Sequence, residues 1–365
     1  MLENKPRFAP ERTFQHEVQS RVEQRLAALG RSRYGGLRIY VKTALLLLWS
    51  GASYGALMAW ASHWWQVVPL CISLGLSLAA IGFNVTHDGN HGAFSGSRFV
   101  NRAMGGMLDL LGGSSYVWRW KHNVFHHSYP NVEGLDEDID FGALCRMSRH
   151  QPHFRHQRLQ HIYMWILYCM IVPKWHLYDD FAAILQGRLG DNSFPRPRGG
   201  ELAQFLVGKL VFFSIAFAIP LLFHSLGQVL LVYFLVAVVQ GLNLAIVFQL
   251  AHSNEEADSF SAKHPQEIAQ QEWAVHQVET TVNFARKSRL LTWYVGGLNH
   301  QIEHHLFPRL SHVHLPAISD IVEQVCREHG VRYSEHPSFW RAVASHYGLL
   351  RSMGQVPLSA LGEAS

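Results

Sequence analysis

Cysteine is scarce in this chain, and charge is thin. The four cysteines among 365 residues (Cys71, Cys145, Cys169 and Cys326) stand far apart and form no close pair. That spacing excludes a thiolate zinc site, an iron–sulfur cluster and a disulfide framework. Cys71 and Cys169 sit in apolar stretches, where a free thiol behaves as a small hydrophobe. Only 16% of residues are charged, against roughly a quarter in soluble globular domains. No short apolar segment opens the chain, so no cleavable signal peptide is expected. Internal repeats and low-complexity tracts are absent, and no nucleic-acid partner is expected.

What is abundant is hydrophobic sequence and histidine. Hydrophobic residues make up 48% of the chain, yet the mean hydropathy is only +0.01. Membrane spans joined to a large water-facing portion satisfy both facts. Apolar runs lie near residues 40–60, 65–85, 205–223 and 229–250, each about the length that crosses 30 Å of hydrocarbon as a helix. Residues 104–117 are interrupted by Asp109 and glycines, and residues 162–172 are too short to span; both read as interfacial or buried segments. The connections around residues 62–64 and 224–228 hold no Lys or Arg. All basic residues then fall on the opposite side, except Lys209, which is expected to snorkel outward. By the positive-inside rule both termini, residues 89–204 and everything after residue 250 are cytoplasmic. Tyr54, Trp60, Trp64 and Trp65 suit either an aromatic belt at the far face or ordinary packing. Gln240 and Asn243, polar groups inside the last run, should face protein rather than lipid.

The expected fold is an all-α integral membrane protein with four transmembrane helices and a cytoplasmic helical cap. Its parts are an N-terminal segment (1–37), helix-like from 11 to 29, and one domain (38–365). Residues 86–204 and 251–365 form the cap. Amphipathic helices over 315–328 and 338–353 should close it.

Among 24 histidines, four groups stand out. They are His87-Asp-Gly-Asn-His91, His122-Asn-Val-Phe-His126-His127, the single His252, and His300-Gln-Ile-Glu-His304-His305. On a helix, residues four apart share a face, so His87/His91, His122/His126 and His300/His304 can each converge on one point. The next histidine of each doublet is turned by about 100° and can reach a second metal. Any single pair of this kind is more often incidental than ligating, and a lone His252 is more often a satisfied interfacial residue. Four groups on one side of a four-span protein are another matter. Zinc needs only four ligands, so this many imidazoles suit a binuclear centre. A histidine-rich metal transporter is the rival from another class, but transporters set their ligands near the bilayer midplane. His150, His153, His156 and His161 lack the pattern and read as surface residues.

Three motifs carry a resemblance. They are Thr86-His-Asp-Gly-Asn-His-Gly-Ala-Phe94, His122-Asn-Val-Phe-His-His-Ser-Tyr-Pro-Asn-Val132 and Gly296-Gly-Leu-Asn-His-Gln-Ile-Glu-His-His-Leu-Phe-Pro308. The chain resembles the membrane fatty acid desaturase family, and the front-end or linoleoyl-CoA desaturase-like branch within it, from about residue 86 to 350. The resemblance implies two iron ions, O2 as co-substrate, and insertion of a cis double bond into an acyl-CoA or acyl-lipid chain. It implies iron ligation by His87, His91, His122, His126, His127, His252, His304 and His305, with Gln301 in the place of the third motif's first histidine. Helix spacing points instead to His300. Gln249 is expected near the iron through water. Asp88, Glu303, Asp136 and Asp138 are candidates for orienting the imidazoles, though Asp136, Asp138 and Asp140 equally suit a solvated loop. His264-Pro-Gln and His336-Pro-Ser do not match the His-Pro-Gly-Gly haem motif fused to some relatives. Electrons should therefore come from a separate ferredoxin or cytochrome b5 with a NAD(P)H reductase, and the location should be a bacterial inner membrane. A hydroxylase or acetylenase on the same scaffold remains an alternative.

Overall fold

The computed structural model describes residues 5–10 and 13–355. Residues 11 and 12, the first four residues and the tail 356–365 lie outside the described part of the expected N-terminal segment and cap. The fold is mostly helical. Its main helices are α1 (Thr13–Ala28), α2 (Gly36–Ala59), α3 (Trp64–His91), α4 (Arg98–Leu110) and α5 (Gln160–Lys174). They continue with α6 (Gly200–Leu222), α7 (Leu226–His252), α8 (Gln301–Leu306), α9 (Leu315–His329) and α10 (Phe339–Gln355).

Three of these, α3, α6 and α7, are long and apolar enough to cross a membrane. Helix α2 is long as well, at 24 residues, but Lys42, Thr43, Ser50 and Ser53 dilute its apolar character. The exposed surface of this bundle is apolar, as in Leu48, Leu210 and Phe223. An exposed apolar face of this kind marks a membrane or protein contact, and three helices of spanning length fit it to lipid. Small residues let the helices approach. A Cβ on Gly241 of α7 would lie 3.0 Å from the Tyr168 carbonyl oxygen of α5, the close approach typical of membrane helix pairs. Helix α5 buries Met164, Tyr168 and Val172 and exposes Ile162, Ile166 and Met170, so the segment too short to span is an apolar brace along α7.

Lys209 departs from expectation. Rather than snorkelling, it is 4% exposed and its Nζ reaches Asp180 Oδ2 at 3.0 Å and the Gly112 carbonyl at 2.6 Å. An ammonium with a buried carboxylate partner need not leave the bundle. Asn243 also turns inward, its Oδ1 accepting from the Tyr294 hydroxyl at 3.3 Å.

Beyond the bundle, α1 packs Phe14, Val18 and Val22 against Ile318, Val322 and Val325 of α9. Both stripes follow helical spacing, so each helix buries one face. Two short parallel ladders clip distant segments of this cap together. Val132–Glu133 pairs with Phe260–Ser261, and Asn283–Phe284 pairs with Glu335–His336. The first ladder lies just after the second histidine group and the second just before the third group, so both fix where those groups meet.

Candidate metal centre

The four histidine groups meet in one buried cluster. Each reaches it by a different local device. In α3 the helix widens into a π-turn at Gly82–Thr86 and then carries His87 and His91 on its last α-turn. Gly89 between them lets α4 cross; a Cβ there would sit 2.3 Å from the Gly105 nitrogen. The second group lies on a π-helical segment, Arg119–His126, and the His127 N–H donates to the His122 carbonyl at 2.9 Å. In this wider winding the fifth residue, not the fourth, comes round to the same side. His122 therefore faces His127, with their Nε2 atoms 3.2 Å apart. His252 ends α7, and His304 and His305 ride on α8.

Two sets of nitrogens result. His87, His91, His122 and His304 form the first, and His126, His252 and His305 the second, with potential ligand atoms within 4.8 Å of one another in each. His127 stands between them: its Nε2 is 3.1 Å from His304 Nε2, and its ring stacks on His305 with centroids 4.4 Å apart. His126 Nε2 and His305 Nε2 are 3.3 Å apart. A third combination, His122, His126 and Asp138, bridges the two sets. The spacing argument thus holds for His87/His91 and for the split of His304 from His305. His122 and His126 also come together, their rings stacked at 5.1 Å and sharing a group with Asp138, while each also belongs to a different larger set.

His300 lies outside both sets. It caps α8 with φ −107° and ψ 60°; its carbonyl still accepts from the His304 N–H at 3.1 Å, but its ring joins neither set. Its Nδ1 faces Ser319 Oγ at 3.3 Å, and burial, with the Arg286 charge second, pushes its pKa down to about 3. Gln301 takes the inner place. Its Nε2 is 2.9 Å from His252 Nε2, while its Oε1 is buried without a partner; a half-turn of the amide exchanges the two atoms. Gln249 is buried one helical turn before the end of α7, its Oε1 also unpartnered.

The carboxylates divide sharply. Asp136 Oδ2 lies 3.0 Å from His126 Nδ1, and Asp138 Oδ2 3.5 Å from the same atom. Burial opposes protonation of His126, but these two charges outweigh it and raise its pKa. Asp88 instead accepts from Ser311 Oγ at 2.8 Å and lies 3.0 Å from His312 Nδ1, tying the first group to the loop after the third. Glu303 turns away to Tyr333, Ser319 and Asn283 at 2.6, 3.0 and 2.9 Å. Asp140 accepts from the Gly142 N–H and touches no imidazole of the cluster. Sequence reasoning missed Gln277, whose Oε1 is 2.8 Å from His305 Nδ1, and Trp118, stacked on His122 at 4.3 Å. It also missed His312; being a histidine just past the third motif was the available signal.

A metal fits this donor set. Burial first, and neighbouring imidazoles second, hold His122, His127, His304 and His305 well below the ordinary histidine pKa. They are neutral at pH 7, with lone pairs free to ligate. Both ring nitrogens of His87, His91 Nε2 and His252 Nδ1 are buried with no hydrogen-bond partner, and such groups are costly unless something satisfies them. A cation within each set supplies that partner. A cleft of about 200 Å³ leads to His252 past Asn131, Arg149 and Met353.

Comparison with known proteins agrees with this geometry. The family model described as fatty acid desaturase matches residues 62–337. The chain is 36% identical over 351 residues, covering 96% of it and 98% of the relative, to a Synechocystis sp. protein named sn-1 linoleoyl-lipid 6-desaturase. A protein of the same name from Arthrospira platensis is 35% identical over 94% of this chain and 93% of its own length. The acyl-lipid (8-3)-desaturase of Physcomitrium patens is 36% identical over 83% of this chain and 64% of the relative.

Proposed function

The chain belongs to the fatty acid desaturase family, and from that premise we propose a di-iron, front-end acyl-lipid desaturase whose two imidazole sets each hold one iron. It is a fatty acyl desaturase, an oxidoreductase of lipid metabolism and a membrane protein. The single observation that carries the proposal is the convergence of distant histidines into two adjacent buried sets. In this reading His87, His91, His122 and His304 hold one ion, His126, His252 and His305 the other, and His127 stands within reach of both. Gln301 completes the second set, directly or through water with Gln249. His300 is left out, because it caps a helix and faces Ser319.

When bound, the irons supply the chemistry that side chains lack: O2, two electrons and two protons are consumed as a –CH2–CH2– unit becomes –CH=CH–, with two waters formed. The protein's own share is positioning. Asp136 and Asp138 fix the His126 ring through Nδ1 and leave Nε2 pointing inward, and Gln277 does the same for His305. Neutral buried imidazoles keep protons off the ligating nitrogens, and the surrounding apolar side chains restrict water. The acyl chain is proposed to lie in an apolar passage between bundle and cap, where its depth selects the carbons that reach the site.

Four spans, with α2 as the first, put both termini and all four histidine groups on the cytoplasmic side, in a bacterial inner membrane. Electrons arrive from a separate ferredoxin, or from cytochrome b5 with a NAD(P)H reductase. The acyl carrier is a membrane lipid or coenzyme A; the names of the relatives support the lipid.

The test is expression in a host of known lipid content, followed by fatty-acid analysis with double-bond location. A new unsaturated acyl species is expected, lost in His126→Ala and His304→Ala while the protein still accumulates. A product heavier by one oxygen would mean hydroxylation and overturn the desaturase reading.

A further inference from the structure

Outside the metal centre, one surface combines apolar exposure with unpaired positive charge. Helix α4 presents Phe99, 81% exposed, with Ala103 and Leu110 on the same outward side. In a soluble protein that stripe would be buried. Its other face is in use: Gly105, Leu108 and Asp109 are buried against the protein. Arg98 and Arg102 flank the exposed stripe, Arg102 being 3.2 Å from Glu201.

Contacts set the level of this helix relative to the bundle. The Tyr40 hydroxyl donates to Ser95 Oγ at 3.3 Å, and the Tyr40 ring meets Phe94 edge-on. Residues 94–99 are therefore level with the first turns of α2, where Leu37 is 78% exposed beside exposed Arg38. The loop after the third histidine motif joins them. Ser311 N–H donates to the Arg33 carbonyl at 2.9 Å, and His314 Nε2 lies 2.9 Å from the Tyr34 carbonyl, which brings exposed Arg309 to the same edge. Arg38, Arg98 and Arg309 have no carboxylate partner among the described residues.

We propose that α4 and the start of α2 form a platform that lies in the membrane surface and binds anionic lipid headgroups through Arg38, Arg98 and Arg309. Phe99 and Leu37 enter the acyl region beneath those headgroups. An apolar stripe with aromatic and basic residues at its margin is the pattern of an interfacial helix, and arginine at that depth attracts anionic lipid. The platform connects to the metal centre, because Ser311 also donates to Asp88 between His87 and His91. On this proposal the anionic lipid held at the platform is the acyl carrier, approaching the first imidazole set from this edge. The inference rests on the reading of the chain as a membrane-spanning desaturase and deepens it, by making the carrier an anionic lipid.

The probe is phosphatidylglycerol, titrated into the purified full-length protein in neutral detergent micelles and counted by native mass spectrometry. Phosphatidylcholine and free coenzyme A serve as parallel arms. Phosphatidylglycerol should bind the wild type at least tenfold more tightly than phosphatidylcholine. Each arginine contributes about fivefold, so Arg38→Gln, Arg98→Gln and Arg309→Gln combined should erase the preference. Phe99→Ser alone should weaken both lipids alike, and it keeps the proposal testable if the triple variant misfolds. An unchanged preference in the triple variant overturns the proposal. Coenzyme A that displaces phosphatidylglycerol from the same arginines also overturns it, in favour of a free phosphate ligand. Iron content and product formation are read separately: loss of desaturation with the lipid preference intact would sink the proposed function and spare this one.

Discussion

The two imidazole sets are built in different ways. In the second set, His126 has two carboxylates at its outer nitrogen and His305 has the Gln277 amide. In the first, His87 has no hydrogen-bond partner at either nitrogen, and His122 is held by stacking on Trp118. His126 and His305 are oriented by hydrogen bonds, whereas the first set, like His252 at the end of α7, relies on helix ends and packing. The contrast teaches that the two metals tolerate different insults: the second depends on polar residues around it, the first on the junction of α3, α4 and the loop after α8.

The sharpest break comes from removing ligands. His304→Ala and His305→Ala alter adjacent residues in different sets, and each should abolish product while iron analysis shows a loss of about one metal per chain. Next, Asp136→Asn should lower iron affinity about 10–100-fold through His126, measured by chelator competition, while the first set stays loaded. Lys209→Met leaves Asp180 buried and unpaired, and should cost about 3–5 kcal/mol of stability in thermal or denaturant unfolding; adding Asp180→Leu should recover much of it. Glu303→Gln disturbs a buried network that reaches His300 through Ser319 but none of the imidazoles of the two sets. It should cost about 1–3 kcal/mol of stability but retain both irons. The smallest effect belongs to His300→Ala, which should keep iron stoichiometry and product. Loss of one iron in that variant would place His300 among the ligands after all.

The first histidine pair was legible because it sits on an ordinary α-turn, where a four-residue spacing means one face. The second pair also comes together, but nothing in His122-Asn-Val-Phe-His126 announces the π-turn that sets His127 opposite His122. The third was half legible: His304 and His305 separate as a helix requires, but α8 starts one residue too late to include His300. Family resemblance chose Gln301, which the structure sets against His252. Asp88 and Glu303 each lie 4.0 Å from a motif histidine, His87 and His300 respectively. Their shorter contacts run to the loop after the third motif and to Tyr333, Ser319 and Asn283, which the sequence does not disclose. Gln277 and Asp180 lie far from their partners in sequence, so only the folded chain pairs them. The apolar runs located the bundle, yet α2 shows that a helix can be long and still carry a buried lysine.

Two separate imidazole sets predict a definite metal content. Protein purified from iron-supplemented cells should contain about two irons per chain, and His304→Ala and His305→Ala about one each, with the remaining iron giving distinct Mössbauer signals in the two variants. A single iron in the wild type, or identical residual signals from both variants, would contradict two separate imidazole sets.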